Sequence, residues 1–399
     1  MFLLMSRPSP RRWLLALLAA AGAVLLSPSL AAADDFSFGA VYTQTNTLDN
    51  QVVVYDRAFN GRITEVDRVP TGGAGAPSTP PFGFPIVDSQ GSVELADNGR
   101  LLFVVNAGSD TISSFRVGFF GFGSGLRLAD QESSGGDLPI SLDSRNGVLY
   151  VLNELSGDIS GLRYDSLGRM TPIPGSTESL TTPGPGGVSA QIGFDRKGRV
   201  LTVTNRGTST IDTFKLGANN TPGPATSNAS NAPTPFGFAY DPRNRLIVSN
   251  AGVVGDPGDL TLFQGTASSY RQSAAGVLTP LDNEPGGGRA TCWVVVTDSG
   301  RYAFMTNTLS ASVARFRIEN DGKLTLLGTT PTTSNGGPAD LALSRNGRHL
   351  YVLSPLEPVS GPFVSGSIDV YRVGSSGSLT HLQSTASNLP PGASGMAAR

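Results

Sequence analysis

Cysteine is almost missing from this chain: 399 residues contain one, Cys292. No internal disulfide can form, so apolar packing and hydrogen bonding must hold the fold. The flanks of that residue, ATCWVVV, read as a buried strand, which makes Cys292 a small core residue. Histidine is nearly as scarce, at His349 and His381, too few with one cysteine for a zinc site. No resident metal or cofactor is expected. The only tryptophans are Trp13 and Trp293, which excludes an enzyme presenting a tryptophan from most of its repeats to a quinone. Charge is low and nearly balanced, with no stripe of Lys and Arg, so nucleic acid is not an expected partner. No G-x-S-x-G elbow or phosphate loop stands in a strand–turn–helix setting. The glycine-rich GFFGFGSG (Gly118 to Gly125) reads as a loop between strands, with Phe119, Phe120 and Phe122 as an aromatic patch for a partner.

Long apolar runs are missing too, apart from one at the start. Arg7, Arg11 and Arg12 precede the apolar stretch Trp13 to Leu26, too short for a comfortable span, and Ala31-Ala32-Ala33 follows as an A-x-A site. Residues 1–33 are therefore expected to be a signal peptide and 34–399 the mature domain, exported to the periplasm or beyond the cell. Arg11-Arg12-Trp13-Leu14-Leu15 is a partial twin-arginine pattern, with Pro10 where a polar residue is usual. No membrane span is expected in the mature chain, and it is expected to be a monomer.

What the chain has in quantity is glycine and proline, 50 and 28 residues, scattered between short apolar runs as turn punctuation. Those runs repeat. VVNAGSDTISSFRV (Val104 to Val117) recurs as VLNELSGDISGLRY (Val151 to Tyr164) and VTNRGTSTIDTFKL (Val203 to Leu216), with worn copies elsewhere. The polar residue closing the repeated strand falls at Asn46, Asn106, Asn153, Asn205, Asn250, Asn307 and Ser354, in steps of 60, 47, 52, 45, 57 and 47 residues. Strand-rich units at such a period are the blades of a β-propeller. The expected fold is all-β: seven four-stranded antiparallel blades forming one domain.

Each unit reads as an apolar strand, a turn on Asp, Asn and Gly (Asp97-Asn98-Gly99, Asp195 to Arg199, Asp298-Ser299-Gly300), a second strand ending in the repeated Asn, then a half-exposed third and a weaker fourth. The first unit begins at its second strand, Ala40 to Asn46, while LPPGASGMAA (Leu389 to Ala398) is left over at the far end. The C-terminal piece is therefore expected to supply the innermost strand of the first blade, leaving no open edge.

FVVNAGSDTISSFRV, TPFGFAYDPRNRLIVSNAG (Thr234 to Gly252) and GGRATCWVVVTDSGRYAFMTNT (Gly287 to Thr308) resemble the lactonase-like seven-bladed propellers, the family of bacterial 6-phosphogluconolactonase and fungal carboxymuconate cycloisomerase. Shorter matches such as YVLN also resemble the YVTN-repeat propellers. The resemblance implies acids, arginines and often a histidine at one face of the channel. Here the corresponding strand starts read Leu138-Pro139-Ile140, Ser189-Ala190-Gln191 and Pro235-Phe236-Gly237, without histidine. His349 begins a second strand at the opposite end and His381 lies on an outer strand, so both are expected to be structural or exposed.

Loops entering first strands and leaving second strands share one face, where polar residues converge. Five charges break the repeat there: Glu154 after Asn153, Arg206 after Asn205, and Asp137, Arg289 and Asp340 before first strands. Glu154, Arg206, Arg289 and Asp340 are the candidate catalytic residues, a carboxylate base with arginine at the oxyanion. Asn106, Asn153, Asn205 and Asn307 are the candidate ligand-binding ring around them, though seven copies at one position also suit turn formation. Two function classes stay open: an exported hydrolase opening a lactone of a sugar or aromatic acid, and a non-catalytic propeller binding an anionic sugar, another small molecule or a protein.

Overall fold

The computed structural model describes residues 37–76, 87–96, 99–118, 125–182, 188–252, 263–333, 336–355, 366–385 and 389–399. The leader at 1–33, the turn residues Asp97 and Asn98, and Phe119, Phe120 and Phe122 lie outside them.

Seven antiparallel sheets follow one another along the chain, and apart from blade 1, which opens with the C-terminal strand, each runs through consecutive strands. The innermost strands are Ser394–Ala398 in blade 1, Val93–Ala96 in blade 2, Pro139–Arg145 in blade 3, Ser189–Phe194 in blade 4, Pro235–Tyr240 in blade 5, Thr291–Val296 in blade 6 and Asp340–Leu343 in blade 7. Burial is greatest in the second strands and falls toward the rim. The second strands Leu101–Asn106, Val148–Asn153, Val200–Asn205 and Tyr302–Asn307 are buried along their whole length, since a neighbouring blade covers each face. Outer strands such as Thr226–Ala229 and Leu379–Ser384 have no buried residue. That gradient is why LYVLN is almost entirely apolar whereas outer strands are polar.

The inter-strand turns work as their composition implies. Asp195 Oδ1 accepts the N–H groups of Arg199 and Val200 at 2.7 and 3.2 Å, and Gly198 takes φ +64°. One blade departs from four strands. The outer edge of blade 3 is two pieces, Met170–Pro172 and Glu178–Ser179, both pairing with Asp158–Tyr164. Pro172 and Pro174 have no N–H, so a continuous ladder cannot form there.

The ring closes between the two ends of the chain. Ser394–Ala398 pairs with Ser37–Gln44, matching Ala398 to Val41, Ala397 to Tyr42 and Ser394 to Gln44. Thr43 Oγ1 donates to the Ser394 carbonyl at 3.2 Å, Arg399 N to the Ala40 carbonyl at 2.8 Å, and Arg57 Nε to the Arg399 carbonyl at 3.0 Å. Met396 and Ala397 are buried in the core formed with blades 7 and 2. Removing residues 394–399 takes away an innermost strand and bares apolar surface on three blades. Thermal and denaturant melts should report a loss of several kcal/mol, roughly that of two or three buried side chains plus their ladder; an unchanged melt would refute this account of the closure.

Candidate functional site

The upper face is where innermost strands begin and second strands end. On it the chain fills its own channel. The segment Val87–Gly91, which leads into blade 2, crosses the axis and is held by the far blades. Gln90 exchanges a pair of hydrogen bonds with Val294 of blade 6, donating from Nε2 at 2.7 Å and accepting at Oε1 at 3.0 Å. Gln90 N donates to the Ala190 carbonyl of blade 4, and Ser141 Oγ of blade 3 donates to the Gln90 carbonyl at 2.6 Å. Trp293 Nε1 donates to the Ser89 carbonyl at 3.0 Å. Blade 5 makes room with Gly237, where an added Cβ would lie 2.2 Å from Gln90 Oε1.

Above this plug stands a line of three charges. Arg206, just after its second strand, pairs with Asp88 of the plug through Nη1 and with Glu154 through Nη2, the latter at 3.5 Å. Its guanidinium lies 5.4 Å from the centroid of the Phe236 ring. The Arg206, Glu154 and Asp88 side chains are only 16%, 15% and 21% exposed, so their attraction is poorly screened. Burial pushes the Glu154 carboxyl above the ordinary glutamate range; Arg206 pulls it back and Asp88 adds to the rise. Arg206 Nε is buried without a partner.

Of the four charges picked from the sequence, the structure thus brings Glu154 and Arg206 together. Arg289 lies on the same face but at the rim between blades 5 and 6, its Nη2 donating to the Leu309 carbonyl at 3.1 Å. Asp340 is buried below the plug, its carboxyl accepting N–H groups of Leu341 and Met396. Asn106, Asn153, Asn205 and Asn307 are all buried, with amides turned onto hydroxyls of their own blades: Ser113 at 2.8 Å for Asn106, Ser160 at 3.2 Å for Asn153, Thr210 at 3.3 Å for Asn205 and Ser312 at 3.4 Å for Asn307. Those bonds are the turn chemistry of the blade. Asp88 and Gln90 were not singled out from the sequence. The available signal was the 60-residue step from Asn46 to Asn106, the longest in the chain, which supplies the extra length of the plug.

His349 is buried against Gly61 of the neighbouring blade, and His381 Nε2 bonds Ser384 Oγ at 2.9 Å on the outer strand of blade 7. Cys292 is buried and burial pushes its thiol far up, out of nucleophilic range. Among the described residues no group of three or more His, Cys, Asp and Glu side chains is set to hold a metal, and no helix is long and apolar enough to cross a membrane.

Below Gln90 the channel opens into a cavity of about 670 Å³ that reaches the lower face. Glu94, Asp143 and Asp340 line it. Asp143 Oδ2 accepts Phe194 N at 2.7 Å, a cap on the open edge of the next blade, whereas among the described residues no hydrogen bond bears on the Glu94 carboxyl. Burial, then the charges of Asp143 and Asp340, hold the Glu94 carboxyl well above its usual range. A carboxyl whose folded pKa is raised stabilises the fold below its unfolded pKa and loses that contribution as pH rises through the folded value. Glu94→Gln should therefore raise the melting temperature at about pH 8 and lose most of that advantage near pH 4; an equal gain at both, or none, would contradict this account.

The family described as "Lactonase, 7-bladed beta-propeller" matches residues 140–252 and 287–392, more than half of the chain and including Glu154, Arg206, Arg289 and Asp340. No curated protein matches. Among solved structures the chain is similar to a candidate 6-phosphogluconolactonase of Bacteroides fragilis, with 16% identity, a TM-score of 0.67, and 93% of this chain and 99% of that one covered. It is similar also to the periplasmic gluconolactonase of Pseudomonas aeruginosa, with 17% identity, a TM-score of 0.66, and 90% and 98% covered. A hypothetical selenium-binding protein of Sulfolobus tokodaii follows at 12% identity and a TM-score of 0.59, with 87% and 90% covered. At these identities the structural likeness shows the fold alone.

Proposed function

The chain belongs to the seven-bladed β-propeller lactonase family, and from that premise we propose that it hydrolyses a lactone at the upper mouth of its channel. The observation that carries the reading is the Glu154–Arg206 pair, two half-sequestered groups of opposite charge on an aromatic face at the channel mouth. Ester opening needs a base for water and a positive group for the oxygen that becomes anionic. Glu154 takes a proton from water as the water oxygen attacks the lactone carbonyl. Arg206 faces that carbonyl oxygen, which carries the negative charge of the tetrahedral intermediate. Collapse breaks the ring C–O bond, and the departing alkoxide recovers the proton from Glu154. The product is the open hydroxy acid, whose carboxyl then loses its proton to water and lies as a carboxylate against Arg206. Substrates of the expected kind are cyclic esters of a sugar or an aromatic acid. Arg289 stands at the rim, and Asp340 is too deep to reach the same carbonyl.

The neighbours named as gluconolactonases support a sugar lactone as the first compound to try. Glu154→Gln and Arg206→Met should each lower kcat/KM by about two orders of magnitude in a lactone hydrolysis assay. Because Glu154 must be ionised to act and burial raises its pKa, kcat/KM should rise with pH along a limb displaced above the ordinary glutamate value. Activity kept within threefold in both variants refutes the assignment. A screen in which no lactone is opened favours the non-catalytic reading, the same groups then serving as an anion-binding site.

We propose in addition that the chain is exported, on the strength of the basic residues, apolar run and A-x-A site of residues 1–33. Protein recovered from outside the cytoplasm should begin near Asp34. An intact Met1 terminus on that material would contradict export by cleavage.

A further inference from the structure

Arg206 is the hinge of the proposed chemistry, yet its Nη1 is already taken by a carboxylate of this chain. Asp88 is no passer-by. Its segment is fixed by backbone and side-chain bonds from Ser89 and Gln90 to blades 3, 4 and 6, so the carboxylate is delivered to one place. None of those bonds involves the Asp88 side chain, whose one ion-pair partner among the described residues is Arg206. The guanidinium is left imperfectly satisfied: Nε has no partner, and the contact from Nη2 to Glu154 is long at 3.5 Å. Asp88 also lies outside the residues that match the family, whereas Arg206 and Glu154 lie inside them.

We infer that Arg206 forms a seat for the carboxylate of a hydroxy acid, and that Asp88 fills this seat as a built-in stand-in for the acid. The inference rests on the proposed lactone hydrolysis for the origin of that acid, but the seat itself needs only the geometry. A ring-opened hydroxy acid has what Asp88 has, a carboxylate on a short flexible carbon chain. It can also reach Nη2, which Glu154 holds only at 3.5 Å, and pairing through two guanidinium nitrogens is stronger than a single contact. A ligand must displace Asp88, so its apparent affinity is reduced by the fraction of molecules in which the seat is already filled. The same competition weakens binding of the product and keeps the enzyme from being blocked by the acid it makes.

Trp293 is a reporter placed for this test, because its indole N–H holds the Ser89 carbonyl next to Asp88. D-gluconate is titrated into the full chain while tryptophan emission is followed, with Trp293→Phe as the blank, and with glucose and inorganic phosphate as comparison probes. Gluconate should change the emission saturably, at a concentration at least fivefold lower than phosphate requires, and glucose should not change it. Arg206→Met should abolish the response. Asp88→Asn, which keeps the shape of the side chain and removes its charge, should lower the gluconate midpoint about tenfold. Where a lactone is hydrolysed, the same variant should show product inhibition tightened by a similar factor. No change in emission, equal or tighter response to phosphate, a response to glucose, or an Asp88→Asn midpoint unchanged or raised would each overturn the inference. Hydrolysis that fails together with a positive gluconate titration removes the lactonase reading and leaves the seat standing.

Discussion

Each blade of a propeller has two unpaired strand edges, and one edge of every blade faces the axis. Every other constraint in this molecule follows from that one. The outer edges meet water, but the inner edges converge where water is scarce, and buried N–H groups without partners are costly. The chain answers by passing side chains from blade to blade. Ser141 of blade 3 accepts Ile192 N of blade 4 at 3.1 Å, and Asp143 accepts Phe194 N at 2.7 Å. Gln191 of blade 4 accepts Phe238 N of blade 5 at 2.6 Å. Asp340 of blade 7 accepts Met396 N of blade 1. On the far side, Gln90 performs the service for Val294. A polar channel is therefore a requirement of the sheet before it is a property of any site.

That requirement explains what was legible in the sequence and what was not. The blade number, the strand order and the closure by the C-terminus were all readable, because each depends on a period of apolar runs repeated seven times. The repeated asparagines were readable as a position, and their bonds to Ser113, Ser160 and Thr210 give the position its reason. The site was harder. Asp340 and Glu154 look alike in sequence, each an acid breaking an apolar pattern beside a strand end. Only the fold separates them, since Asp340 caps a neighbouring blade within the channel while Glu154 faces Arg206 above the plug. Asp88 sits in a stretch between blades 1 and 2 whose residues carry no repeat, so no register pointed to it.

Glu94 shows the same logic by its failure to fit. It occupies in blade 2 the level that Asp143 holds in blade 3, opposite Phe103 and Tyr150 of their second strands. Asp143 caps the next blade, but the corresponding neighbour of Glu94 is supplied otherwise: Leu142 N bonds the Gly91 carbonyl of the plug, and Ser144 N bonds Asp143. Glu94 is left facing the cavity with two acids nearby and no donor among the described residues. Its raised pKa follows from burial first and then from the charges of Asp143 and Asp340.

The plug thus joins two parts that differ in kind. Ser89 and Gln90 are structural, tying the inner edges of blades 3, 4 and 6 across the axis through bonds that involve no charge. Asp88 adds a charged group to a scaffold that would be held without it. A buried ion pair is weak support for a fold, since desolvation offsets much of the attraction, and removing one partner strands the other. Here the stranded partner would be Arg206, already shared with Glu154 and resting on Phe236, so its charge keeps some compensation when Asp88 leaves. That residual pairing is what allows a carboxylate from outside to exchange with Asp88 while the inner edges stay closed.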